Sequence, residues 1–257
     1  MNSSTQRRVR KTPRWLAPAL SIATGLVLWQ IGTLAINNRL LMAGPLQIVV
    51  AIPQQLHAGL FNNIRVSALE LAIGMGVSIT VGVSLGVAMA LVAPVRGALQ
   101  PWIAALNSTP MIALAPVVIL WFGLGIESKI FVVALISLFP ILVNTEAAIR
   151  ETDRDLVEMA RALRMPTRKI VTDIYLRSAM PVIVAGIRLG TANGIIGVVV
   201  AELFGAKAGL GYSITTNAQL FDVSAMFLSI SILALAGILI STSLRALERK
   251  LAPWRSA

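Results

Sequence analysis

The sequence predicts an all-α, polytopic membrane fold with six transmembrane helices. Three observations carry this. Of 257 residues, 56% are apolar and only 13% charged, against roughly 45–50% and about 25% in soluble domains. Mean hydropathy is +0.81. The apolar residues also gather in runs close to the ~20 residues that a bilayer-crossing helix needs. The charge deficit excludes an ordinary soluble enzyme, a disordered chain and a coiled coil. The chain has room for five or six spans with short loops, and no large soluble domain. It has no Cys, so disulfides, thiolate metal sites and cysteine nucleophiles are excluded. A single His, His57, leaves little for a histidine cluster, and no metal site is expected. The net charge of +11, in a membrane protein, points to loops beside anionic membrane lipid and not to nucleic acid.

The elements follow in order. A basic segment, 1–15, carries Arg7, Arg8, Arg10, Lys11 and Arg14. The first span follows at about 16–36. Signal peptides have an apolar core of about 7–15 residues; this core is longer and no convincing cleavage site follows, so an uncleaved anchor is expected. Segment 37–64 is too polar, and too broken by Pro45 and Pro53, to span; a short amphipathic surface helix is expected there. The second span is about 66–93, with Glu70 near its outer end and a Gly82-x3-Gly86 step. The third is about 102–124. Asn107, Ser108, Thr109 and Pro110 lie inside it, with Pro116 beyond. Proline kinks a helix and frees backbone carbonyls. This stretch is therefore either a packing kink or the polar wall of a transmembrane pathway. The fourth span is about 128–149, with Glu146 near its inner end. The fifth, about 181–204, holds Gly186, Gly190 and Gly194, whose spacing of four allows close helix contact. They serve packing within one chain, or an interface between chains, or the lining of a pathway. Intramembrane charges are functional candidates by default. Arg188 lies near the inner end of the fifth span and could pair with Glu146. Glu202, about 21 Å further along the helix, lies near the outer mouth and is expected to contact either the outer loop or a binding protein. The sixth span is about 224–246, and a basic tail, 247–257, follows.

Charge sets the orientation. With the N-terminus inside, segments 1–15, 94–101, 150–180 and 247–257 are inner and hold 16 of the 22 Lys and Arg residues. The outer segments hold Arg39, Arg65, Lys129 and Lys207. The positive-inside rule then puts both termini in the cytoplasm.

The one long polar segment, 150–180, is expected to fold as two short helices. Thr152-x-x-Asp155 resembles a capping box. Leu156, Met159, Ala160 and Leu163 then recur at helical spacing and form one apolar stripe. Pro166 ends that helix, Ile170, Val171 and Ile174 sit on a second, and Pro181 opens the fifth span. The stripe either folds back onto the inner membrane surface or docks a cytoplasmic protein.

These residues resemble a known family. Glu158-Met159-Ala160, with Ile174-x-Leu176, is similar in spacing to the signature E-A-A-x3-G-x9-I-x-L-P of permease subunits of bacterial binding-protein-dependent ABC importers. APVVILWFGLGIESKIF, starting at Ala115, FPILVNT at 139–145 and VVVAELFGAKAGLGY at 198–212 resemble the branch that imports nitrate, sulfonates, taurine and thiamine precursors. The likeness runs over about residues 40–245. It implies the type I importer permease fold in a bacterial inner membrane. It implies an ATPase-coupling role for Leu156, Glu158, Met159, Ala160, Leu163, Arg164, Ile174 and Leu176. The implied partners are an ABC ATPase subunit, a periplasmic or lipid-anchored substrate-binding protein, and a second copy of the permease in a homodimer. No catalytic residue or bound cofactor is implied for this chain; the partner uses ATP, and no Gly-Lys-Ser/Thr occurs from which a phosphate-cradling loop could be built. Two positions depart from the signature: Arg164 stands at its glycine and Arg177 at its proline. Met165-Pro166 is expected to supply the break that the glycine normally gives.

Two other functions are less well matched. An ion-gradient-driven transporter needs coupling carboxylates near the midplane, whereas Glu70, Glu146 and Glu202 lie toward span ends. An intramembrane enzyme needs a paired constellation at mid-depth, and none is seen. The GLGY run at 209–212 is not at a strand–helix junction, so a nucleotide loop is not expected there. The solute is not named by the sequence, because specificity in such systems is expected to reside largely in the binding protein.

Overall fold

The computed structural model describes residues 16–36, 38 and 40–251. The basic segment 1–15, Arg39 and the tail from residue 252 lie outside them. Among the described residues the chain is helical throughout, with no strand. Helix α1 is Leu16–Ile36, and a short helix, α2 (Pro45–His57), occupies the expected surface segment. Pro45 suits its first turn, and the Gln47 side chain reaches back to accept from the Gly44 N–H at 3.0 Å. Then come α3 (Leu60–Leu91), α4 (Ala93–Ser108), a 3₁₀ turn (Met111–Leu114), α5 (Ala115–Phe122) and α6 (Ile126–Arg150). Beyond them lie α7 (Arg154–Ala162), α8 (Thr167–Lys169), a π-helical turn (Ile170–Tyr175), α9 (Leu176–Leu203), α10 (Leu210–Gln219) and α11 (Val223–Leu251).

Five helical stretches are long and apolar enough to cross a membrane, and a sixth span forms if a bent pair counts as one. That pair corrects the bounds of the third span expected at 102–124 and shows the expected kink to be a sharp bend. Residues 93–101 are already helical, and α4 meets the Met111–Phe122 helix at 89°. Pro110 causes the break: it has no N–H to continue α4, and Thr109 before it is extended at ψ 134°, as pre-proline residues favour. Pro116 kinks nothing, since it lies in the first turn of α5, where its missing N–H has no helical partner to lose. Pro181 does not open the fifth span. It lies inside a helix that runs unbroken from Thr167 to Leu203, and the π-helical turn joins the second loop helix to the span. Helix α10 is an addition that the apolar runs did not signal.

Helix α6 is the centre of the bundle, with α3 on one side and α9 on the other. Half of its apolar window is buried, against 6% for peripheral α1. Both neighbours present small residues to it at spacings of four. On α3 these are Gly74, Ser78, Gly82 and Gly86, facing Val133, Ala134, Ile141 and Thr145. On α9 they are Gly186, Gly190 and Gly194, facing Asn144, Ile141 and Ser137. The second set therefore packs within one chain. Lipid tails are as apolar as Leu, so close backbone approach and van der Waals packing drive such contacts. Ser78 adds a bond across the seam, donating to the Ala134 carbonyl at 2.8 Å.

The seam gives a paired expectation. A methyl at Gly86 would lie 2.7 Å from Thr145 Cβ and 2.9 Å from the Leu142 carbonyl oxygen, whereas one at Gly76 meets nothing within 4 Å. Gly86→Ala should cost about 1–3 kcal/mol by overpacking. Gly76→Ala should be neutral or slightly stabilising. Thermal unfolding of the purified protein in detergent separates the two; equal midpoints would contradict the seam.

Candidate functional site

At one end of the bundle, where α6 ends and α9 approaches its start, α7 forms a hairpin with the helix that follows. Its first turn is capped by Asp153, whose carboxylate accepts from the Asp155 N–H at 2.9 Å. The cap is thus Asp153 and not Thr152, which is buried and donates back toward the Ala148 carbonyl. The C-terminus closes with two bonds: the Arg164 N–H to the Arg161 carbonyl at 2.9 Å, and the Met165 N–H to the Ala160 carbonyl at 3.0 Å. These are the two bonds of a Schellman cap, in which the residue after the C-cap adopts the left-handed conformation. That residue is Arg164, with φ 54°. The break therefore occurs at Arg164 itself, where the importer signature has glycine, and Pro166 starts the next helix. A side chain in this conformation costs about 1 kcal/mol or more relative to glycine.

The stripe divides between two faces. Val157 and Ala160 turn inward onto Ile170, with Met165, Ile174 and Tyr175 alongside. Ala160 is thus an internal contact and no part of the exposed stripe. Leu156, Met159 and Leu163 point away, at 43%, 57% and 73% exposure; Glu158 is exposed on another side of the helix, where it lines a hollow with Arg150 and Arg161. Leu176 packs further along, against the cluster of Ala148, Ile149, Ala179 and Ile183.

The expected Glu146–Arg188 pair does not form. Glu146 meets Arg96 of α4 at 3.2 Å and Arg150 at 3.5 Å, and Arg188 meets Glu248 of α11 at 3.4 Å. The cause is helical phase. Gly186 and Gly190 face α6, and a residue two positions from each lies on the opposite side of the helix. The broken third span holds the polar stretch. Ser108 and Thr109 donate to carbonyls of their own helix. Asn107 and Pro110 border a cavity of about 260 Å³ whose other wall includes Phe139, Pro140, Asn193 and Ile196.

At the opposite end, Glu202 is buried and does contact the segment after its own span. One carboxylate oxygen accepts from Ser67 Oγ at 2.6 Å, and the other accepts from the Gly211 backbone N–H. Ser67 Oγ also accepts from the Leu210 N–H at 2.8 Å, and Asn63 Oδ1 from the Gly209 N–H at 3.0 Å. The first N–H groups of α10 are thus satisfied by α3 and α9, with a carboxylate at the positive end of the helix. Gly209, at φ 124°, is needed here, because a Cβ would strike the Glu202 carboxylate. Glu70 and Lys129 are buried beside this carboxylate, and Lys129 Nζ donates to the Leu124 carbonyl at 2.6 Å. Ser67 and Asn63 were not singled out by the sequence, and Lys129 was noted only as an outer charge. Their partners lie far along the chain, and no local pattern marks them.

Residues 78–256 match the family described as the inner membrane component of binding-protein-dependent transport systems. The chain belongs to this family. It is 32% identical over 247 residues to the formylaminopyrimidine transport permease ThiX of Halalkalibacterium halodurans, covering 96% of this chain and 99% of that one. It is 33% identical over 250 residues to the putative aliphatic sulfonates transport permease SsuC of Bacillus subtilis, covering 96% and 91%. The taurine transport permease TauC of Escherichia coli is 29% identical, covering 91% of this chain and 89% of TauC. The fold is shared with inward-facing structures of the MetNI methionine ABC transporter, at TM-score 0.67 and 18% identity over 75% of this chain and 95% of that one. This transport permease is accordingly a multi-pass membrane protein of the type I importer fold.

The cap of α7 gives an expectation. Arg164→Gly should stabilise the hairpin by about 1 kcal/mol. Hydrogen exchange of the α7 amides should then slow about fivefold. Unchanged or faster exchange would show that Arg164 is not strained.

Proposed function

We propose that this permease forms half of the translocation pathway of an ATP-driven importer, with a second copy supplying the other half. The observation that carries the reading is the stripe of Leu156, Met159 and Leu163, exposed on a capped helix outside the spans. An apolar stripe presented to water needs a partner, and a groove on a separate ABC ATPase subunit fits it; Glu158 would contact the same subunit from another side of α7. The inward contacts Val157–Ala160–Ile170 tie α7 to the helix that continues into α9. Motion of the ATPase would thereby reach the spans, as a switch between two packings of rigid elements. Ile174 and Leu176 belong to that tie. Energy would come from ATP used by the partner, with no cofactor held and no catalysis performed by this chain.

The α7 end would be cytoplasmic, since loops there carry most of the basic residues, as the positive-inside rule requires. Both termini would lie on that side of a bacterial inner membrane. A periplasmic or lipid-anchored binding protein would deliver solute at the α10 end. The relatives' names suggest a small solute of sulfonate, taurine or formylaminopyrimidine type; nitrate and thiamine precursors rest on the resemblance in sequence. The stretch Asn107–Pro110 would form part of the pathway wall. An ion-driven mechanism is disfavoured because the buried carboxylates Glu70 and Glu202 cluster at one end, far from the midplane.

Met159→Asp places a charge on the exposed stripe without touching the Val157–Ala160 contact. Co-purification of the cognate ATPase subunit should fall at least tenfold, about 1.4 kcal/mol, with membrane insertion unchanged. Undiminished co-purification would remove the docking role. Orientation is checked separately. Reporter fusions after residues 160 and 215 should read cytoplasmic and external, and a cytoplasmic signal at 215 would invert the assignment around α10.

A further inference from the structure

The cavity at the broken span opens on the surface of the bundle, midway along α6. It is lined by Ile136, Phe139 and Pro140, near the midpoint of the 25-residue α6, and by Asn193, well inside the 28-residue α9. Asn107 faces it from the end of α4. Neither Asn107 nor Asn193 makes a side-chain hydrogen bond within the described residues, whereas the hydroxyls of Ser108, Thr109 and Thr191 each donate to a carbonyl of their own helix. The backbone adds one acceptor at most, on the α6 side, since the Leu106 carbonyl accepts from the Thr109 N–H and the Pro110 carbonyl from the Ala113 N–H. Pro140 supplies no N–H to close on the Ile136 carbonyl. Hydrocarbon cannot satisfy such groups, and each left unpaired there costs several kcal/mol. Such groups are tolerated at membrane depth where protein or a water-filled cavity satisfies them. No ionisable side chain lines it.

We propose that Asn107 and Asn193 are the solute-contacting pair of the pathway, exchanging hydrogen bonds with a small hydrophilic solute at a constriction without fixed charge. Each amide offers two N–H donors and a carbonyl acceptor. The pair can thus serve oxyanion oxygens and heterocycle edges alike, and it discriminates weakly. This deepens the reading of the broken span as pathway wall and rests on it. Asn193 carries the argument beyond the local sequence, since its helix otherwise reads as a packing helix.

The chain contains no cysteine, so single-cysteine probes need no prior substitution in this subunit. Asn107→Cys and Asn193→Cys both border open space, and Cys is smaller than Asn, so neither overpacks. Leu28→Cys, 63% exposed on peripheral α1, is the lipid-facing control. The assembled transporter in membrane vesicles of both orientations, with and without ATP, is treated with 2-sulfonatoethyl methanethiosulfonate. Both probes should react at least tenfold faster than the control from one side in at least one state. A rate equal to the control at either position, under every condition, overturns the proposal. In a second arm, Asn193→Leu should lower uptake at least tenfold while Asn193→Gln retains most of it, with co-purification of the ATPase unchanged in both; equal uptake by the two variants overturns the hydrogen-bonding role. Loss of docking by Met159→Asp is read independently, so failure of this inference and failure of the importer reading are distinguishable.

Discussion

The architecture depends on how closely two helices can approach α6. In lipid, apolar side chains gain nothing by leaving the solvent, so helices associate where backbones meet and dispersion contacts are dense. Gly74, Gly82 and Gly86 on α3 and Gly186, Gly190 and Gly194 on α9 provide that approach from two sides. Residues on these helices that do not face the seam are free for other work. Arg188, facing away from α6, reaches Glu248, and Asn193, one position before Gly194, borders the mid-depth cavity.

The polar contacts divide by end. Beside α7 they are partly exposed pairs, Glu146 with Arg96 and Arg150, of the kind that contributes little when screened by water. Beside α10 they are buried; Glu202 and Ser67 satisfy one another and the helix start, while one Glu70 carboxylate oxygen has no partner among the described residues. There Glu202 and Ser67 hold the first turn of a helix that neither belongs to. Removing one partner at such a site leaves the others unsatisfied, which costs more than the bond itself contributes. The α10 end is accordingly specific in its geometry, and the α7 end is the adaptable one.

The spans were legible because a run of about 20 apolar residues admits few structures in a membrane. The glycine steps were legible by spacing, though their partner was not. The bend at Pro110 was legible in position and not in size, since a missing N–H says where a helix stops and nothing about where the chain goes next. Helix α10 was missed because LGYSITTNAQ is half polar and its caps come from Asn63, Ser67 and Glu202. The Ser67–Glu202 bond joins residues 135 positions apart. On α7 the periodicity located the stripe but misassigned Ala160, which lies about 40° from Leu156 at 100° per residue and so sits at the stripe's edge. The left-handed Arg164 was signalled only by its departure from the importer signature.

The helix that runs unbroken from Thr167 to Leu203 is about 55 Å long at 1.5 Å per residue, against about 30 Å of hydrocarbon. It is a lever whose loop end projects beyond the bilayer. A tilt of roughly 5° about its centre would displace that end by about 2 Å, while residues near the pivot shift by a fraction of this. Asn193, about 12 Å from the centre, would move by about 1 Å, a little under half of the stroke outside. The geometry trades displacement for force: a broad, low-stiffness movement at the surface becomes a small and well-defined one in the membrane.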